Sequence, residues 1–488
     1  MSIDPFSSAA GMLRALSERE ISSVELTRFH IDRIERLDGP INAVVVRDFD
    51  RALDSAREAD AGRTGHCDPP LLGLPMTVKD AFFVEGLPAT GGGIPERAGI
   101  VASWDAPFVT AIKRGGGIIV GKTNMPPYAA DHQSANPLYG RTSNPWDLNR
   151  TPGGSSGGAA AALAAGMTPL EIGGDQAGSI RVPSAYCGLF GHKTSETAGP
   201  RSGHFPSGRL PNAAFAMATQ GPLARSAADL KLLFDAMVGP LPGEDVAWRL
   251  DLPAARAGNL SDFRIAIMPR FDWLPLDDEI AASLEEWADK LARAGAAVQV
   301  VDPFNGEFPE YSETYLRILF SQASGEVPPD VAAGIARGLR STGDRLLTAA
   351  ADGWVARVGD YLSWFDRRET FRAELRGFFN DWDVLLAPCT VTNAFTHSEW
   401  NDDDGFRYLE INGGTVNTIN LFPYPGLCSL SGHPGTAFPA GQTRGGLADR
   451  IAGHRTLSRG PDDVALHRDW LSEEFVSLSP PPEFMDER

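Results

Sequence analysis

The stretch that constrains this chain most is residues 151–191, TPGGSSGGAAAALAAGMTPLEIGGDQAGSIRVPSAYCGLFG, where two turns of glycine and serine bracket an alanine-rich helix. Glycine admits positive φ and lets backbone N–H groups come close to a ligand. Successive N–H groups in such a turn form a nest for an anion. A serine held there is a candidate nucleophile beside a ready oxyanion hole. Taken alone, Gly153-Gly154-Ser155-Ser156-Gly157-Gly158 reads more often as a flexible loop. A phosphate-binding loop would need GxxxxGK[ST], which is absent from this stretch, and Ser179, in AGSIR, does not sit in the GxSxG elbow that a Ser–His–Asp hydrolase would need.

Around this stretch, strands and helices alternate. Ser22-Ser23 opens a helix carrying Val24, Leu26, Ile31 and Ile34 on one face, with Gly39-Pro40 expected to close it. Residues 50–61, 107–114, 157–167, 226–239 and 277–295 read as further helices. LLGLPMTVKDAF, GGIIVGKTN, AAVQVVD and DWDVLLAPCT read as short buried strands. Residues 307–380 are helical and rich in aromatics: Trp354, Tyr361, Trp364, Phe365 and Phe371 could wall a pocket, though core packing is their more frequent fate. The alternation predicts an α/β fold with a mostly interior sheet. With no repeat and no long linker, residues 1–488 read as one domain: a helical opening over 10–62, a core over 70–240, and pocket-wall helices over 307–380.

A formal charge of −19 argues against nucleic acid and anionic membranes as partners. Four cysteines without a CxxC pair suit a reducing compartment and make a structural zinc site improbable. The amino terminus has no basic segment followed by a long apolar run, and no stretch of 18 apolar residues occurs, so a cytoplasmic protein is expected.

The sequence resembles the amidase signature family. The turn at 153–158 is followed by Gly173-Gly174-Asp175-Gln176-Ala177-Gly178-Ser179-Ile180-Arg181-Val182-Pro183, and preceded by Gly73-Leu74-Pro75-Met76-Thr77-Val78-Lys79-Asp80. GGIIVGKTNMPPYA and YGRTSNPWDLNRTPGGSS also follow the family pattern, and the likeness runs over roughly residues 10–445. It implies a single α/β/α domain whose large twisted mixed sheet is covered by helices on both faces. It implies hydrolysis of a small amide through an acyl-serine, with esters or carbamates as further substrates and without metal or organic cofactor. Carried over by position, Ser179 is the nucleophile, Ser155 the bridging serine on a cis peptide, and Lys79 the base. The N–H groups of Gln176, Ala177, Gly178 and Ser179 form the oxyanion hole. Lys79 must then be buried enough to be neutral near pH 7. Ser156 either supports the triad or caps the following helix, and Asp175 with Arg181 makes a structural ion pair. Lys122 and Cys187 read as structural, and His132 and His192 as structural or pocket histidines. Tyr128 and Val182 suggest an apolar or aryl pocket. Two departures, Ala177 for the usual glycine and Pro127 for an acidic residue, bear on specificity. The same family includes an amidotransferase subunit that releases ammonia within a complex; otherwise a monomer or homodimer is expected.

The resemblance stops at residues 447–463, LADRIAGHRTLSRGPDD, a polar run without strand periodicity. Read one base later with permitted codons, these residues spell Leu-Pro-Ile-Gly-Leu-Gln-Ala-Ile-Gly-Pro-Tyr-Leu-Glu-Asp-Arg-Thr, which restores the family pattern. A compensated pair of frameshifts over about 447–469 is therefore expected, leaving, where the family has a strand, a segment that is irregular or a chain less stable than its restored version. Codons in the gene incompatible with the shifted frame would end that idea.

Overall fold

Short apolar runs punctuated by glycine and proline become the strands of one mixed sheet. The computed structural model describes residues 3–65, 67–205, 216–252, 259–399, 406–441, 454–456 and 481. Eleven strands pair into a continuous sheet: β1 Val44–Arg47, β2 Pro75–Lys79, β3 Ile118–Thr123, β4 Leu170–Asp175, β5 Phe190–Lys193, β6 Thr219–Ala224, β7 Arg264–Ile267, β8 Ala297–Val300, β9 Val384–Ala387, β10 Gly435–Ala437 and β11 His454–Thr456. Their order is β1-β3-β2-β4-β6-β5-β10-β11-β9-β7-β8. β2 runs parallel to both β3 and β4, while β6 runs antiparallel to β4. Every residue of β2, β3 and β4 is buried, as expected of parallel strands covered on both faces.

Thirteen α-helices accompany the sheet among the described residues: α1 Ala9–Ser17, α2 Ser23–Ile41, α3 Phe49–Gly62, α4 Pro107–Arg114, α5 Gly157–Ala164, α6 Arg181–Cys187, α7 Ala227–Met237, α8 Asp278–Arg293, α9 Phe308–Ala323, α10 Pro329–Ser341, α11 Arg345–Trp354, α12 Val358–Asp381 and α13 Pro423–Ser431. α2 opens with a reciprocal Ser22–Glu25 capping box. It does not stop at Gly39-Pro40. Pro40 lies inside its last turn, and the helix closes one residue after Ile41, where Asn42 takes a left-handed conformation and donates to the Asp38 carbonyl.

α5 explains its own composition. All eight residues are buried, and a Cβ at Gly158 would collide with the backbone nitrogen of Asn124, so only glycine fits there. Arg33 and Arg225 donate to the Ala165 and Leu163 carbonyls at its far end, where a cation also suits the helix dipole.

Residues 454–456 correct one expectation. They are not irregular: β11 pairs antiparallel with both β10 and β9, and so occupies an interior slot of the sheet. The two facing edges of β10 and β9 would otherwise be left with unpaired backbone groups, which is reason enough for a polar segment to take the slot. The rest of 447–469 lies outside the described residues.

Candidate active site

Lys79 is the last residue of β2, in register with Thr123 on β3. Strand alternation puts Thr77 and Lys79 on the same face. Lys79 is fully buried, and its Nζ lies 2.6 Å from Ser155 Oγ, to which it donates. Burial pushes the amine down to about 7, with Asp175 and Glu171 pulling the other way.

Ser155 and Ser156 sit just before α5, and the Gly154–Ser155 peptide is cis. Ser134, not Ser156, caps the helix: its Oγ accepts from the Gly157 N–H at 3.0 Å, while Ser156 makes no side-chain cap bond. The Ser156 hydroxyl is buried and has no hydrogen-bond partner among the described residues. Its backbone N–H donates to the Ser179 carbonyl at 3.0 Å, which fastens the two serine turns together.

Ser179 lies between β4 and α6. Lys79 and Ser155 are wholly inaccessible, whereas Ser179 keeps 7% of its surface. That is the arrangement required if the base is shielded and the nucleophile meets a substrate from outside. Asp175 organises the turn. Its carboxylate accepts from the backbone N–H groups of Gly178 and Ile180 and from the Arg181 guanidinium at 2.8 and 2.9 Å. Burial alone would raise the Asp175 carboxyl; Arg181 and these donors instead hold it well below the ordinary carboxylate range. Arg181 also donates to the Pro425 carbonyl and Ser429 Oγ, tying the turn to α13.

This geometry bears on the expected oxyanion set. The Gly178 N–H is committed to Asp175 and is not free to meet a substrate oxygen. The N–H groups of Gln176, Ala177 and Ser179 have no acceptor among the described residues. Gly178 has φ +90°, and a Cβ there would come within 3 Å of Val182 and Pro425, so the turn depends on glycine at that point. Val182 itself is fully buried beneath Gly178. It supports the turn and does not line an open pocket. Tyr128 is 54% exposed, with φ 58°, and its ring lies 5.8 Å from that of Phe205.

Several residues at the turn come from far away in the chain. His132 Nε2 lies 2.8 Å from the Ala177 carbonyl, and the Tyr315 hydroxyl donates to the Gln176 carbonyl at 3.1 Å. The Gln176 amide donates to Gln322 on α9, whose amide donates to the Tyr361 hydroxyl on α12. Rings run from His132 through Phe422 and Phe320 to Trp354. The aromatic segment therefore divides: Trp354 and Tyr361 reach the turn through partners, while Phe371 packs in the core against Tyr311 and Phe304. Lys122 pairs with Asp80 at 2.7 Å, His192 bonds Thr436, and Cys187 is buried. No group of three His, Cys, Asp or Glu among the described residues could hold a metal ion, and no described helix is long and apolar enough to cross a membrane.

Comparison with known proteins gives a family profile described as Amidase matching residues 25–448. A glutamyl-tRNA(Gln) amidotransferase subunit from Aromatoleum aromaticum is 33% identical over 468 residues, covering 89% of this chain and 90% of that protein. The subunit of the same name from Acidothermus cellulolyticus is 33% identical over 429 residues, covering 82% and 83%. Among solved structures, a bacterial aryl acylamidase superposes with a TM-score of 0.77 at 24% identity, over 96% of this chain and 97% of its own, a likeness of fold.

Proposed function

This chain belongs to the amidase signature family, enzymes that act on carbon–nitrogen amide bonds, and on that premise we propose that it cleaves an amide through an acyl intermediate on Ser179. The observation that carries the reading is the buried Lys79–Ser155 contact at 2.6 Å beside the Ser179 turn. A serine hydroxyl attacks poorly unless a base takes its proton. In the forward step Ser179 Oγ bonds to the substrate carbonyl carbon, its proton passes to Ser155, and the Ser155 proton passes to Lys79. The oxyanion is met by the N–H groups of Gln176, Ala177 and Ser179. The C–N bond then breaks as the proton passes from Lys79 through Ser155 to the leaving nitrogen; water, giving its proton to the same relay, next attacks the acyl carbon, and the acyl–Oγ bond breaks as Ser179 regains a proton.

Two substrate readings share this chemistry. One is an independent hydrolase of small amides, with esters or carbamates as further substrates. The names of the relatives favour the other, a subunit that releases ammonia inside an amidotransferase. Hydrolysis of a panel of aryl and aliphatic amides by the isolated chain supports the first; activity on glutamine that appears only with partner subunits supports the second.

The test of the shared chemistry is the pH profile. An ammonium cannot accept a proton, so kcat/KM should rise as Lys79 loses its proton, through about pH 7. A flat profile from mildly acid to alkaline pH, with chemistry limiting, contradicts a lysine base.

A further inference from the structure

Glu171 is a carboxyl in the middle of the sheet that the reaction above does not use. It lies on β4 directly opposite Thr77 on β2, so it shares a face with Thr77 and Lys79. It is fully buried. The Thr77 hydroxyl donates to its Oε2 at 2.5 Å, and the Ile172 N–H donates to its Oε1 at 3.2 Å. Among the described residues no cation stands within ion-pair distance of it. Asp175, the other carboxylate whose charge reaches Lys79, is held by Arg181 and keeps its charge across the working pH range.

Resting on the lysine-base reading, we propose that Glu171 is a positioning residue for the base: Glu171 and Lys79 compete for one proton, and reaction starts from the arrangement in which that proton sits on Glu171. A buried carboxylate and a buried ammonium each lose hydration, so each group favours its neutral form until the other is charged. With one proton between them, two arrangements exist. In one, neutral carboxyl faces neutral amine, and Lys79 can accept from Ser155. In the other, carboxylate faces ammonium, and the base is idle. The two titrations thus belong to the pair. Burial pushes the Glu171 carboxyl up to about 8, opposed by Thr77 and Ile172, and the Lys79 amine down to about 7. The other charged or titratable groups around this face keep their own partners or carry no variable charge near neutrality. Asp175 is bound to Arg181, and Lys122 on β3 to Asp80. Lys193 on β5 donates to the Thr194 and His433 carbonyls. His204, whose ring stands against Gly174, is held neutral by burial and by Lys79.

Glu171→Gln imitates the protonated carboxyl and removes the idle arrangement. Thr77→Val keeps the shape but removes the hydroxyl that favours the carboxylate, so it acts in the same direction. The readout is the rate at which a fluorophosphonate labels Ser179 in the whole purified chain, followed against pH. In that step the Oγ–P bond forms, the P–F bond breaks, fluoride leaves, and the hydroxyl proton passes through Ser155 to Lys79. Each variant is scaled to its own alkaline plateau, so lost amplitude from altered packing does not enter. The acid limb should move to lower pH for Glu171→Gln and by less for Thr77→Val, with faster scaled labelling on the wild-type limb in both. A limb that stays in place or moves up overturns the inference. If Glu171→Gln does not fold, Thr77→Val alone decides by the same criterion. A wild-type profile with no acid limb, or a Lys79→Ala variant that keeps it, overturns the lysine-base reading and the inference with it.

Discussion

Replacing Lys79 with alanine should lower turnover by several orders of magnitude, and replacing Ser179 with alanine should abolish it. In the proposed mechanism Lys79, Ser155 and Ser179 form one proton path: each hydroxyl is inert unless the next group along can take its proton, so single losses do not add. The path has no visible substitute among the described residues. His132, which touches the turn, commits its Nε2 to the Ala177 carbonyl, and His192 lies on β5 against Thr436. A steady-state assay on either substrate class checks this; near-normal kcat/KM in Lys79→Ala would remove the lysine from the mechanism.

Asp175→Asn should produce the second large effect, this time on stability. The wild-type carboxylate is fully buried and neutralises Arg181, which is equally buried. The amide keeps the volume but leaves a guanidinium without its counter-charge in the interior, and breaking a buried pair in this way costs about 3–5 kcal/mol. The pH dependence follows from the sign of the shift. Asp175 is held below its ordinary value, so its stabilisation is complete above the unfolded carboxylate pKa of about 4 and fades as pH falls toward the folded value. Thermal melts of the two proteins should therefore differ most near neutrality and converge under acid. Equal melting temperatures at pH 7 would mean that Arg181 finds another acceptor, its Pro425 and Ser429 contacts being the candidates.

What can be read in the sequence is local. The 3.6-residue periodicity of α8 and the run of small residues in α5 are visible because each element's neighbours impose a pattern on consecutive residues. The Gly-Ser turns are legible as motifs for the same reason, since the backbone can take those conformations only with glycine at fixed places such as Gly178. The end of α2 differs from expectation because Pro40 can occupy a last turn whose closing bond comes from Asn42. The engaged N–H of Gly178 is not legible either, because whether an N–H meets a carboxylate or a substrate depends on where Asp175 points. Gln322, Tyr361 and Tyr315 converge on the turn at 176–179 from α9 and α12, and no spacing rule connects residues so distant in the chain. Glu171 does carry a local signal: it is a carboxylate in the otherwise apolar run LEIGG, where burial without a charged partner calls for an explanation.

The most direct test of the central claim is to treat the purified chain with a fluorophosphonate and locate the adduct by peptide mass. A single adduct on Ser179, absent from Ser179→Ala and slowed by orders of magnitude in Lys79→Ala, is the expected result. An adduct on Ser155, on Ser156 or elsewhere, or equal labelling of Lys79→Ala, would contradict it.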